Sequence, residues 1–265
     1  MHTFRLDVEY EGTRYNGWQK QPGQRTVQGE LLKAAKNLLG AETDIGGSGR
    51  TDAGVHALRQ VAHLKVKSTI KKASPQQLRI GINSLLPHDI NILNLQPAPA
   101  RFHARHDALA RYYLYQISTR RTAFAKPFVW WVRDRLNTTA MKEASRLLIG
   151  RHDFRSFSER VEAQTSTLVH VEEAQLATHG RLILFRIGAS HFLWKMVRRI
   201  VGALVEVGRG KLKPESFGKF LAEYSNEPAA WTSPPSGLFL ERVLYAGDRR
   251  PATLSPAFHH MTIGD

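Results

Sequence analysis

Residues Phe192 to Val207 set the tightest constraint on how this chain folds. At helical spacing they are apolar around nearly the whole circumference, so the helix predicted over Phe192–Val207 has to be enclosed by the rest of a folded domain. Its polar residues Lys195, Arg198, Arg199, Gly202 and Glu206 fall on one stripe, at i, i+3, i+4, i+7 and i+11. The three cations break the run well short of the roughly 18 uninterrupted apolar residues of a spanning helix, and no membrane segment is expected. A guanidinium at a core edge needs a carboxylate or phosphate partner, because an unpaired buried charge costs several kcal/mol. Gly202 on the same stripe leaves room for something to lie against the helix. A surface helix with a solvated basic edge is the plainer alternative, and its exposed stripe would be very narrow.

The rest of the chain mixes strands and helices. Phe4, Leu6, Val8 and Tyr10 alternate with Arg5, Asp7 and Glu9, the period of a half-buried strand. Thr26 and Gly40 bracket a helix bearing Val27, Leu31, Ala34, Ala35 and Leu38. A glycine-rich loop at Gly46–Gly49 then leads to a strand near Gln60–Val66. Ser74-Pro75 starts a second helix that stops at Pro87, and Ile90–Leu95 follows as a strand. From Arg111 the pattern restarts: a strand through Tyr113, Tyr115 and Ile117, a helix over Thr139–Leu148, and two strands, Leu168–Ala177 and Leu182–Ile187, joined at His179-Gly180. The long apolar helix, a shorter one after Pro214 and a strand over Leu238–Tyr245 complete it. The expectation is α+β, in two related halves: residues 1–105, residues 106–246, and an irregular tail over 247–265. No internal sequence repeat links the halves.

Composition narrows the function. The chain has 265 residues, 38 Lys and Arg against 23 Asp and Glu, a net charge of +15 and no cysteine. Without cysteine there is no disulfide scaffold, no thiolate nucleophile and no Cys-ligated zinc, which removes the zinc nucleobase deaminases. The basic surplus points to a polyanion, with nucleic acid foremost, because Lys and Arg gain phosphate affinity by releasing condensed counterions. Met1 to Tyr10 lacks the basic leader and apolar region of a signal peptide, so a cytoplasmic location is expected.

The strongest local motif is the small-residue loop Gly46-Gly47-Ser48-Gly49-Arg50-Thr51-Asp52-Ala53-Gly54-Val55-His56. It is not a phosphate loop, since Val55 and His56 follow Gly54 where Lys and Ser/Thr are required. Nor is it a dinucleotide fingerprint, since Val61 onward reads as strand. It presents one carboxylate, Asp52, between Arg50 and His56; the alternative is a hairpin-like loop with Asp52 as a turn former. Arg111-Tyr112-Tyr113-Leu114-Tyr115 places Tyr113 and Tyr115 on one strand face beside basic residues. Such rings stack unpaired bases, or simply pack a core. His103 and His106 form the one HxxH pair, there is no HExxH, and no metal site is expected. His56 and His63 read as structural.

Gly49-Arg50-Thr51-Asp52-Ala53-Gly54-Val55-His56-Ala57 resembles the catalytic loop of the TruA family of tRNA pseudouridine synthases. Tyr10-Glu11-Gly12-Thr13, Gly17-Trp18-Gln19, Thr26-Val27-Gln28-Gly29, Phe102-His103-Ala104-Arg105, Gly150-Arg151-His152-Asp153-Phe154 and Ser236-Gly237-Leu238 are similar to that family in its order, so the resemblance spans most of residues 3 to 246. It implies a pseudouridine-synthase fold of two similar halves with largely antiparallel sheets, flanking helices and a central basic cleft, assembled as a homodimer. It implies isomerisation of uridines at tRNA positions 38, 39 and 40 in the anticodon stem-loop, without metal or organic cofactor. The family's nucleophilic aspartate corresponds to Asp52, its stacking tyrosine to Tyr113, the arginine paired with the aspartate to Arg198, and an apolar residue lining the uracil pocket to Leu238. Lys195 departs from the family pattern, where many members carry histidine. Arg50, Arg101, Arg105, Lys195 and Arg199 are candidates for RNA phosphate contacts. Two alternatives stand beside this: a non-catalytic protein that binds structured RNA, and a pseudouridine synthase acting on another RNA. A pure binder has no need of a carboxylate beside phosphate-binding arginines, where it repels RNA.

Overall fold

The computed structural model describes residues 2–40, 42–67, 74–159 and 166–258, and these fall into two compact units. One comprises Met1–Leu109 with Leu240–Asp248; the other comprises Ala110–Phe239 with Arg249–Asp265.

In the first unit β1 (His2–Tyr10) is followed by α1 (Val27–Leu39), β2 (Thr43–Gly47), β3 (His56–Val66), α2 (Pro75–Asn83) and β4 (Ile90–Pro97). β1 runs antiparallel between β3 and β4, with Leu6 opposite Ala62 on one side and Leu95 on the other. Leu6, Val8, Val61, Leu64 and Ile92 are fully enclosed. The helix signals act as expected: the Thr26 side chain accepts from Gly29 N, and Gly40, at φ +58°, donates its N–H to the Lys36 carbonyl. Ser74 and Gln77 close a reciprocal capping box. The stretch expected as a glycine-rich loop is partly strand, because Gly46 and Gly47 belong to β2 and pair with His63 and Ala62. Glycine is needed there for space: a Cβ on Gly46 would lie 2.4 Å from the His63 ring, and one on Gly47 2.5 Å from the Trp18 ring.

The second unit begins with β5 (Ala110–Ser118) and the short β6 (Trp130–Trp131), then α3 (Thr138–Arg146), β7 (Gly150–Asp153), β8 (Leu168–His179) and β9 (Leu182–Ala189). α4 (Met196–Gly208), α5 (Pro214–Lys219), α6 (Glu227–Ala230) and β10 (Leu238–Leu244) follow. β5, β9, β8 and β7 pair antiparallel in that order, and β6 adds to β5 in parallel. All nine residues of β5 are buried, so this strand is covered on both faces rather than half-buried. From Leu240 onward β10 returns the chain to the first unit, beside β3. The mixed α+β class with largely antiparallel sheets and flanking helices is the one observed.

The long apolar helix starts four residues later than its periodicity predicts. α4 begins at Met196 because Lys195 adopts the left-handed conformation, at φ +61°, and the Met196 N–H turns back to the Leu193 carbonyl. Apolar spacing continues through 192–195 although the backbone does not. Of the thirteen residues of α4 every one but Arg198 is buried, which discards the solvated basic edge. The room beside Gly202 is taken by the protein itself: a Cβ there would lie 1.6 Å from the Trp231 carbonyl oxygen. Residues 249–258 form no helix or strand, yet Arg186 donates to the Thr253 carbonyl at 2.6 Å and Ala257 N to the Gln116 side chain at 2.8 Å. The last part of the tail, 259–265, lies outside the described residues.

Candidate active site

In the first unit the loop between β2 and β3 carries Asp52 and is gripped along its length by the segment that follows β1. The Trp18 N–H donates to the Thr51 carbonyl at 3.1 Å, the Gly54 N–H to the Tyr15 carbonyl at 3.3 Å, and the Val55 N–H to the Asp52 carbonyl at 3.2 Å. The Gly12 N–H donates to His56 Nδ1 at 2.9 Å, which requires a lone pair on Nδ1 and gives buried His56 its structural role. Tyr10 Oη and Thr51 Oγ1 lie 2.8 Å apart. Burial raises the Tyr10 phenol far above its ordinary value, against the lowering by Thr51 and Gln60, so this hydroxyl stays protonated. At the upstream end Ser48 donates to Gln60 Oε1 at 2.6 Å, and Gln60 Nε2 to the Gly49 carbonyl at 3.1 Å.

This packing is close enough that side chains are excluded. A Cβ on Gly12 would lie 2.0 Å from the Val55 carbonyl oxygen; Gly17, at φ +83°, would place one 2.5 Å from that of Thr51. Between buried Thr51 and exposed Ala53, Asp52 is partly exposed, and Arg50 is exposed. The arrangement is a carboxylate on a backbone that has little freedom to move, reachable from solvent.

The other basic candidates of this unit, Arg101 and Arg105, are exposed on the segment after β4. That segment is anchored by Ala104, whose N–H donates to His63 Nδ1 at 3.1 Å and whose carbonyl accepts from Tyr245 Oη at 2.6 Å. The His103 ring lies 4.6 Å from that of His63 and 4.2 Å from that of His106. Burial, then the proximity of His103, lowers the His63 imidazole; burial, then His106, lowers that of His103. Among the described residues no group of three or more His, Asp or Glu side chains is placed to hold a metal ion.

In the second unit the three neighbouring tyrosines of β5 differ. Tyr112 Oη donates to Glu172 at 2.9 Å and Tyr115 Oη to the Pro234 carbonyl at 2.8 Å, so both hydroxyls serve the interior. Tyr113, 8% exposed, meets Phe192 edge to face at 4.9 Å between centroids. Arg198 donates from Nε to the Ser233 carbonyl at 2.8 Å, and Ser233 N donates to the Arg198 carbonyl at 3.1 Å. This reciprocal pair pins residues 231–233 to α4. Leu238, the first residue of β10, is buried.

Two of the expected phosphate ligands are engaged inside the unit. Arg199, 7% exposed, reaches Glu159 at 2.6 Å and also donates to the Ser158 carbonyl; Lys195 Nζ reaches the same Glu159 oxygen at 3.2 Å. The Lys195 hydrogen bond, supported by Arg199, holds the Glu159 carboxyl below the usual carboxylate range. The demand of the α4 stripe for an anion named the type of partner, but nothing in the spacing singles out Glu159 in a distant loop.

The model of the family described as tRNA pseudouridine synthase matches residues 8–107 and 144–246. The chain belongs to the tRNA pseudouridine synthase family. The two matched segments contain Asp52, Arg198 and Leu238, while Tyr113 lies between them. Among relatives, "tRNA pseudouridine synthase A 2" of Clostridium perfringens is 38% identical over 92% of this chain and 100% of its own length. "tRNA pseudouridine synthase A" of Caldicellulosiruptor bescii is 38% identical and that of Aquifex aeolicus 37%, each over 92% of this chain and 100% of theirs. The crystal structure of a Cbf5-Nop10-Gar1 complex aligns with 76% of this chain and 54% of that one at 14% identity and a TM-score of 0.31, too slight a likeness to carry an argument. Pseudouridine synthases are isomerases. No helix among the described residues is long and apolar enough to cross a membrane.

Proposed function

We propose that the chain isomerises uridine to pseudouridine at positions 38, 39 and 40 of the tRNA anticodon stem-loop, with Asp52 as the nucleophile or base. The supporting observation is the Asp52 loop, a partly exposed carboxylate on a loop whose backbone is hydrogen-bonded by Tyr15, Trp18 and Gln60. The reaction breaks N1–C1′, turns the uracil and forms C5–C1′; the C5 hydrogen leaves as a proton and N1 ends protonated. Such a sequence needs a group that acts on the sugar and then departs, which a carboxylate does. Asp52 acts either by capturing C1′ or by taking the C2′ proton, and trapping of a sugar-linked intermediate separates the two.

The target base is stacked in or beside a helix and has to be flipped out to react. Tyr113 receives its face, Leu238 lines the uracil pocket, and Arg198 pairs with the Asp52 carboxylate and orients it. Arg50, Arg101 and Arg105 contact backbone phosphates, while Lys195 and Arg199 are engaged by Glu159. No metal or organic cofactor takes part. The enzyme works in the cytoplasm as a homodimer, as the family resemblance implies.

The test is release of tritium from uracil C5 of labelled tRNA transcripts, at equal RNA occupancy. Wild type should release it from positions 38–40 and Asp52→Asn should release none while still binding. Arg198→Ala should slow release at least tenfold, and Tyr113→Phe should retain binding. Tight tRNA binding with no release by wild type would instead make this chain a binding protein or a synthase for another RNA.

A further inference from the structure

The turn before α4 is built to hold one aromatic ring out to solvent. Trp194 is 48% exposed, whereas Leu193 and Met196 beside it are buried. Lys195, next in sequence, is the one non-glycine residue at positive φ among the described residues. Backbone outliers of this kind persist where the surroundings over-determine them, and they concentrate at binding and catalytic sites.

The surroundings here are specific. The Trp194 carbonyl accepts from Glu159 N at 3.0 Å. The Glu159 carboxylate binds Lys195 Nζ at 3.2 Å and Arg199 at 2.6 Å. Lys195 Nζ lies 5.0 Å from the Trp194 ring centroid. The same residues thus fix the turn from both sides, and the one acidic group among them is neutralised twice, so it offers little repulsion to a polyanion. Phe192, two residues upstream, is the ring that Tyr113 meets edge-on.

We infer that Trp194 is a stacking platform for an unpaired nucleobase of the RNA substrate, other than the uridine that is isomerised. The inference rests on the reading that structured RNA is the ligand. The exposed surface beside the ring is charged, from Lys195 and Glu159, unlike the charge-depleted core of a protein interface. The ring suffices for one base, since every base presents a π-face and stacking is tolerant of sequence. The Lys195 ammonium lies over one face of the ring, which leaves the opposite face to a base.

Full-length protein and an in vitro tRNA transcript test this through the dissociation constant and its salt dependence, measured for wild type, Trp194→Leu and Trp194→Phe. The Leu variant should bind about tenfold more weakly, the scale of one lost base–aromatic stack, and Phe should stay within about threefold. The slope of log K against log salt should stay unchanged in both, because stacking releases no counterions, and Tm should stay at the wild-type value. Wild-type binding by the Leu variant overturns the inference. A slope reduced by about one also does, since it would assign the effect to Lys195. Equal losses in Leu and Phe accompanied by a lower Tm would make the ring structural, and normal RNA binding with altered sedimentation would give it to a second copy of the chain. The readout is binding, so a failure of tritium release in wild type would sink the proposed reaction and leave this result standing.

Discussion

Gly12 and Gly17 show how residues outside the Asp52 loop govern it. Neither contributes a side chain, yet the space each leaves is filled by loop carbonyls. Gly12→Ala has to displace the Val55 carbonyl, a rigid backbone group, and should cost about 2 kcal/mol of stability, the usual scale for overpacking. Because the shift is transmitted to Asp52, turnover of bound tRNA should fall more than tenfold. Gly23→Ala is the control: like Gly17 it is at positive φ, +68°, but a Cβ there meets nothing within 4 Å. It should lose about 1 kcal/mol through left-handed strain alone and keep its turnover. Urea denaturation and single-turnover tritium release on both variants measure the two effects separately; equal turnover losses would show that the clamp does not set the position of Asp52.

Among the elements, the stack of His63, His103 and His106 ties β3 to the segment after β4, and it carries a pH dependence whose sign can be worked out. His63 and His103 are lowered from the ordinary imidazole value, which is about 6.5 in the unfolded chain. Below that value the unfolded state binds more protons than the folded one, so stability falls as pH drops. His63 Nδ1 also accepts the Ala104 N–H, a bond that a proton on Nδ1 removes. The midpoint of urea unfolding should therefore decline from pH 7.5 to pH 5.5. His103→Asn, whose carbonyl can still accept the Arg105 and His106 N–H groups that His103 Nδ1 now accepts, should flatten the decline. An unaltered pH profile in the variant would remove His103 from the account. Elements such as α1 and α2 were legible because their caps are local: Thr26, Gly40, Ser74 and Gln77 act on backbone within a few residues. The start of α4 was not legible, because a left-handed Lys195 is held by Glu159 and not by its neighbours in sequence. Gly46 and Gly47 read as loop because glycine signals backbone freedom, while here it signals the rings of His63 and Trp18 lying against a strand.

For the whole molecule the relevant quantity is how much of the +15 charge lies at the surface, where RNA can meet it. Arg199 and Lys195 are engaged with Glu159, whereas Arg50, Arg101 and Arg105 lie exposed. Replacing any of these three with Gln should lower the salt slope of tRNA binding by about one unit. Arg199→Gln should instead lower Tm, because it leaves Glu159 and the Ser158 carbonyl without their guanidinium. Binding titrations between 50 and 300 mM salt, at roughly the range where such slopes are resolved, distinguish the two kinds of arginine; a slope change for Arg199→Gln without loss of Tm would reverse the assignment. Composition made the polyanion legible, and the ordered motifs made the family legible. Which cations are consumed internally was hidden, since that depends on carboxylates brought in by the fold. The same limit applies to Leu240–Asp248: alternation identifies a strand there but cannot name the strand beside it. Its place next to β3 means that the sheet of the first unit is assembled from strands far apart in the sequence, β1 to β4 and then β10. On a ribosome, which delivers the N-terminus first, β3 emerges with one neighbour still unsynthesised, and it waits on the order of ten seconds for Asp248 to leave the exit tunnel.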